Sequence, residues 1–272
     1  MACKNWFVPK CAALSSLVAA TALCFSAMAS AAPTTFDGGL PVGWTGIGSF
    51  GTSGADGVVT ASPEGGAYGW VSTANGVNGA KLMGVGGYNG SVLQSSVFSA
   101  GAGDSLEFYF NYITSDGGDF SDYAWARLLL SDLTPVAMLI TARTNPVVGG
   151  SSVPGVGLPQ ISAEIDPSAV QIIGGAPVWS PLGDSSNTCF DVGCGYSGWV
   201  KSQYTIANAG NYVLEFGVSN WTDGSYHSGL AFDGIAVASA PPPLNPVSEP
   251  ASLALLGLGL AGLVWRRGRP SY

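Results

Sequence analysis

Three carboxylates crowd one short stretch, Asp116, Asp119 and Asp122 between Thr114 and Tyr123, with Gly117, Gly118, Ser115 and Ser121 among them. Hard divalent cations want several oxygens on a flexible loop, and carboxylates, hydroxyls and backbone carbonyls supply them, so these acids form a candidate calcium site. Their spacing is not that of an EF-hand, and Asp-Gly pairs also serve simply as solvated turn formers. Catalytic material is scarcer. The one histidine, His227, shares a loop with Asp223, Ser225 and Ser228. A triad needs base, orienter and nucleophile to converge in space, which neighbours on one loop seldom do. No Gly-x-Ser-x-Gly elbow, zincin motif or phosphate loop occurs. The chain is therefore expected not to be an enzyme, with a glycoside hydrolase built on an unmarked carboxylate pair as the alternative.

Six tryptophans, Trp44, Trp70, Trp125, Trp179, Trp199 and Trp221, offer aromatic faces of the kind on which other rings stack. Most must be core. Trp179 and Trp221 lie in turn-rich surroundings and are the candidate ligand contacts, while Trp125 alternates with Tyr123 and Arg127, which puts one of those faces outward or in a cleft. Cys189 and Cys194, in Cys-Phe-Asp-Val-Gly-Cys, are spaced to close a small disulfide loop in an exported protein. Two free thiols or half a metal site are the rival readings of that pair.

Both ends of the chain read as addresses. Lys4 and Lys10 precede an apolar run from Cys11, followed by small residues through Ala32, the three parts of a secretory signal peptide over 1–32. Pro-rich 240–247 is a stiff linker. Beyond it stand Ser248, Glu249 and Pro250, an apolar run from Ala251 to Trp265, and the cluster Arg266, Arg267 and Arg269. Fifteen residues make a helix of roughly 22 Å, short against a bilayer core of about 30 Å, so this transmembrane helix needs its flanks and snorkelling arginines to span. Basic residues after the helix place the tail on the cytoplasmic side and the domain outside.

This tail, 248–272, resembles the PEP-CTERM sorting signal of Gram-negative bacteria that produce exopolysaccharide. In that family a Pro-Glu-Pro motif precedes a short Leu/Gly-rich helix and an arginine cluster, and an exosortase recognises and cuts at the motif. Glu249 and Pro250 match, while Ser248 stands where the first proline normally sits. The resemblance implies exosortase-type sorting machinery as a partner, passage through the inner membrane, and a final place at the cell surface or outside the cell.

Something between these ends must position the candidate residues. Glycine contributes 40 of 272 residues and charged residues only 10%, which excludes a helical bundle and a charge-rich disordered chain. Period-two alternation recurs with turn chemistry between the runs, most clearly over 106–112. Further strands are predicted at 58–62, 81–85, 91–98, 123–130, 136–143, 199–206, 212–219 and 230–238. The fold class is all-β, an antiparallel β-sandwich over 33–239 flanked by the signal helix and the short C-terminal helix. Gly-rich 145–159 is expected to be a mobile loop or projecting arm.

The opening Phe36-Asp-Gly-Gly-Leu-Pro-Val-Gly-Trp44 and the closing phrases 212–218 and 229–237 resemble the first and last strands of jelly-roll, carbohydrate-binding modules. That resemblance implies a structural calcium held by Asp37 and Asp233. The middle segment keeps Lys81, Arg127, Arg143 and Lys201 against sixteen acids, an excess of about twelve negative charges. Such a surface repels phosphate backbones, which excludes nucleic acid as a partner. The sequence points to a structural or glycan-contacting surface protein, with exopolysaccharide as a candidate partner. An ice- or surface-adhesive protein is the other alternative, although the chain lacks a Thr-x-Thr repeat.

Overall fold

The computed structural model describes residues 34–147 and 149–239. The predicted signal peptide, the Pro-rich linker, and the sorting-motif residues Ser248, Glu249, Pro250, Arg266, Arg267 and Arg269 lie outside the described residues. Among the described residues no helix is long and apolar enough to cross a membrane.

The strands run in chain order as β1 (Thr45–Ile47), β2 (Ser49–Ser53), β3 (Tyr68–Ser72), β4 (Val77–Asn78), β5 (Asn89–Gln94), β6 (Phe98–Ala100), β7 (Ser105–Thr114) and β8 (Tyr123–Leu130). They continue as β9 (Pro135–Arg143), β10 (Glu164–Asp166), β11 (Ile173–Gly174), β12 (Gly195–Tyr196), β13 (Val200–Thr205), β14 (Gly210–Ser219) and β15 (Ser228–Ala238). One sheet has the order β1-β5-β14-β8-β9, the other β10-β13-β7-β15-β3-β2, and every paired strand is antiparallel. The expected sandwich is the observed one.

Alternation explains which face each strand buries. On β7, Leu106, Phe108, Phe110 and Tyr112 point inward and are buried, while Glu107 and Tyr109 point out. From the facing sheet come Ala124, Ala126 and Leu128 of β8 and Leu214 and Phe216 of β14. At the centre Phe216 and Phe232 stack with ring centroids 3.7 Å apart, and Trp44 lies parallel to both. Each such ring contributes about 1.5–3 kcal/mol by leaving water.

The sheets have two distinct ends. β7 ends where β15 begins, with Thr114 opposite Ser228, and the loops around Asp122, Val192 and Trp221 gather there. At the other end β15 finishes at Ala238, and the Thr34 N–H donates to the Ile235 carbonyl at 2.7 Å. The two ends of the described domain therefore leave from the same pole, opposite the Trp221 loop.

Two predicted strands are corrected. At 58–62 only Val59 makes a bridge, with Asp56, and 81–85 is a turn anchored by the Leu82 N–H donating to the Tyr123 hydroxyl at 3.2 Å. Two real strands, β2 and β3, were hidden by internal glycines. A Cβ on Gly69 would come within 2.6 Å of Phe232 and 2.8 Å of Phe36, so the glycine is required by those rings. The 145–159 segment does not project as an arm: Val153 is fully buried and bridges Val170, and Leu158 packs with Trp125.

Candidate functional site

One row of residues crosses the outer face of the β1-β5-β14-β8-β9 sheet. Glu215 on β14 stands directly opposite Gln94 on β5 and Arg127 on β8, and Gln94 in turn faces Thr45 on β1. Their neighbours in sequence, Ala126, Leu214 and Phe216, belong to the core, so alternation turns this row away from it.

Glu215 is the hub. Its Oε1 accepts from Arg127 Nε at 2.6 Å and from Trp125 Nε1 at 3.0 Å, and its Oε2 accepts from Gln94 Nε2 at 2.8 Å and Arg127 Nη2 at 3.2 Å. This is a bidentate, charge-assisted pair, with the carboxylate side chain 3% exposed and the guanidinium 24% exposed. Trp125 lies flat across Gly217, where a Cβ would sit 2.1 Å from the indole ring. Above the row opens a groove of about 450 Å³, lined also by Lys81, Ile47 and Val92. Trp125 forms its floor and is 1% exposed, so the open walls are polar and aliphatic rather than aromatic.

The Trp221 loop holds a second feature. Trp221 is 36% exposed, and the Arg143 guanidinium carbon lies 4.0 Å from its ring centroid, a cation–π contact. Arg143 is held by donating from Nε to the Ser121 carbonyl at 2.9 Å. Nearby, partly exposed Phe120 meets Phe190 in a T-shaped contact, and Phe190 packs at a tilt against Tyr226. Trp221 is thus available to a ligand. Trp179 is not, which corrects the sequence reading: it is fully buried, its Nε1 donates to Tyr68 Oη at 2.9 Å, and it presses on Gly229 from a 3₁₀ turn at Ser180–Ser185.

The acidic residues separate into two different environments. Asp122 is buried, with Oδ1 accepting from the Trp221 N–H at 3.0 Å and Oδ2 from Ser228 Oγ at 2.8 Å. Burial, and then the nearby Asp116, push its pKa well above the usual carboxylate range. Asp116 is also buried, and burial raises its pKa to about 7 against an opposing hydrogen bond from the Gly117 N–H. Asp119 is exposed. Asp122 has both oxygens engaged, and among the described residues no three His, Cys, Asp or Glu side chains gather as a metal-binding group. In this arrangement Asp116, Asp119 and Asp122 are not gathered as one group. Asp122 instead ties the 115–122 loop to the Trp221 loop.

Asp37 and Asp233 do approach one another. Asp233 is 1% exposed, accepts from Ser62 Oγ through Oδ2, and leaves Oδ1 without a partner. Burial raises its pKa, and the carboxylates of Asp37 and Glu64 raise it further. Asp37 is exposed and accepts from the Ala67 N–H at 2.7 Å. A buried carboxylate oxygen without a hydrogen-bond partner, in the field of two more carboxylates, has the chemistry of a hard-cation ligand, although among the described residues no three such side chains gather as a metal-binding group. Cys189 and Cys194 form the expected disulfide. His227 is half-buried, with Nδ1 3.2 Å from Thr73 Oγ1, and burial lowers its pKa.

The Glu215 hub escaped sequence reading because its partners lie 121 and 88 residues away. Its one signal was an acid inside an otherwise apolar strand, facing the same way as Gly217.

With this geometry the chain is an antiparallel β-sandwich protein with a polar groove on one outer face. Residues 246–269 match the PEP-CTERM protein-sorting motif, so it is an exported protein that exosortase-type machinery recognises. No curated protein matches the chain. Among solved structures it is similar to the K1 and K3 cleaved adhesin domains of Lys-gingipain from Porphyromonas gingivalis W83. K1 is 10% identical, with 77% of this chain and 98% of that one covered at a TM-score of 0.35; K3 is 12% identical, with 78% and 100% covered at 0.36. The CBM22-1–GH10 modules of the Clostridium thermocellum xylanase 10B, complexed with xylohexaose, are 9% identical, with 78% of this chain and 29% of that one covered at 0.31. Likeness at this level carries nothing about ligand or activity.

Proposed function

We propose that this exported protein is non-catalytic and contacts glycan at the cell surface or in an extracellular polysaccharide matrix, using the groove over Glu215. The observation that carries this reading is the hub itself. Glu215 spends its hydrogen-bonding capacity fixing Arg127, Gln94 and Trp125 beneath an open groove, and a fixed polar wall is what recognition of hydroxylated rings needs. A carboxylate locked between a guanidinium, an indole N–H and an amide is a poor general acid, which favours binding over hydrolysis. In the same reading, residues 1–32 are a cleaved signal peptide, and the C-terminal segment holds the protein at the inner membrane during sorting. Asp233 and Asp37, with Glu64, hold a structural calcium that supplies the missing partner of Asp233 Oδ1.

The test is retention of exopolysaccharide from the native host by the full chain, compared with Arg127→Ala, while the supernatant is assayed for released saccharides. Retention without release, weakened in the variant, supports the reading. Release of saccharides replaces it with a hydrolase, and equal retention by the variant removes the groove.

A further inference from the structure

We infer that the groove over Glu215 selects an acidic saccharide, a pyranose carrying a carboxylate, with Arg127 and Lys81 supplying the complementary charge; this rests on the glycan reading and names the substrate class. Charge is unevenly distributed over the domain. Four bases remain in the segment outside the terminal clusters, against sixteen acids, and two of the four, Lys81 and Arg127, line this one groove. The only acid in its lining is Glu215, which is already paired with Arg127. A local excess of one positive charge on a strongly acidic domain marks a place where an anionic group is favoured.

Donors are left over in this groove. A guanidinium carries five N–H donors. Glu215 takes one on Nε and one on Nη2, so the Nη1 pair and the second Nη2 hydrogen make no hydrogen bond among the described residues. Lys81 is exposed and donates only to the Gly87 carbonyl, at 3.4 Å. These donors suit a carboxylate, which accepts in a planar fork from guanidinium and as a point charge from ammonium.

The groove presents no open aromatic face among the described residues. A neutral pyranose draws much of its affinity from an exposed aromatic face, yet the sole aromatic in this lining, Trp125, is 1% exposed and serves as floor. Charge-assisted hydrogen bonds are what remains to hold a sugar here. The surrounding acidic surface repels a long polyanion, so a short chain or chain end is the better fit.

The experiment is calorimetry of the full chain with a short uronate oligomer and with the same oligomer after reduction of its carboxyl groups to alcohols. The uronate form is expected to bind at least about tenfold more tightly than the reduced form, the scale of one hydrogen bond to a charged group. Lys81→Gln, an exposed substitution, and Arg127→Gln should each lower uronate affinity by about that factor. Lys201→Gln, whose partner Glu107 lies on the other sheet, should leave it unchanged. Equal binding of both oligomers overturns the acidic preference and leaves the glycan reading standing. Binding of neither overturns the inference, and if neutral oligosaccharides also fail to bind, the glycan reading goes with it.

Discussion

Replacing Glu215 with alanine should be among the most damaging single changes on the outside of this sandwich. The substitution strands three donors that now converge on one carboxylate. Trp125 Nε1 is the most expensive, because its ring is 1% exposed and water cannot replace the lost acceptor. An orphaned buried donor costs about 1–3 kcal/mol. Arg127 adds less, because its side chain is 24% exposed and solvent can take over part of its charge. A total loss of ~2–4 kcal/mol follows, or a Tm lower by ~4–16 °C for a domain of this size. Urea unfolding followed by tryptophan fluorescence reads it directly. The companion variant Arg127→Leu/Glu215→Leu removes both charges and should recover part of the loss, because a pair replaced by apolar groups is often near neutral. An E215A midpoint indistinguishable from the parent would refute the view that this row is a fixed, mutually dependent unit.

The buried acids give a pH dependence of definite sign. Asp116 holds its proton to about 7 in the folded chain but only to ~3.9 when unfolded, so the stability it confers is complete below ~3.9 and is lost as pH rises through about 7. Asp116→Asn should therefore be more stable than the parent at pH 8, by ~1 kcal/mol or more, with the advantage shrinking toward pH 4; equal denaturation midpoints at pH 8 would contradict this. Chelation should lower the melting temperature, and Asp233→Asn should abolish that response, since a cation at a hundredfold its dissociation constant adds about 2.7 kcal/mol; an unchanged melt counts against a cation here. Gly217→Ala should displace the Trp125 ring and cost ~1–3 kcal/mol, seen as a changed near-ultraviolet circular dichroism signal and an earlier unfolding midpoint.

Much of the fold was readable because β7, β8, β14 and β15 are long strands whose inward positions are apolar at every second residue. Among the strands that escaped, β2 and β3 carry Gly51 and Gly69 in their interiors. In isolation these read as turn formers, and only the rings of Trp70, Phe36 and Phe232 explain them. The same cause misplaced Trp179. Its local surroundings are turn-rich, but Gly229, some fifty residues later, leaves the space that buries it. The acids show the limit from another side. Asp122 looked like a loop ligand, yet its oxygens meet a backbone amide 99 residues away and a hydroxyl 106 residues away. Spacing reveals what a stretch of chain can offer, while the partner that consumes the offer is supplied by distant topology.

The position of β15 bears on how such a chain can be exported. It runs between β7 and β3 in the middle of its sheet, although it is the last strand of the domain along the chain. A polypeptide threaded outward from its leading end cannot zip that sheet shut until residues 228–238 have cleared the channel. Completion of that sheet waits on the last strand of the described domain, the one nearest in sequence to the sorting motif at 246–269.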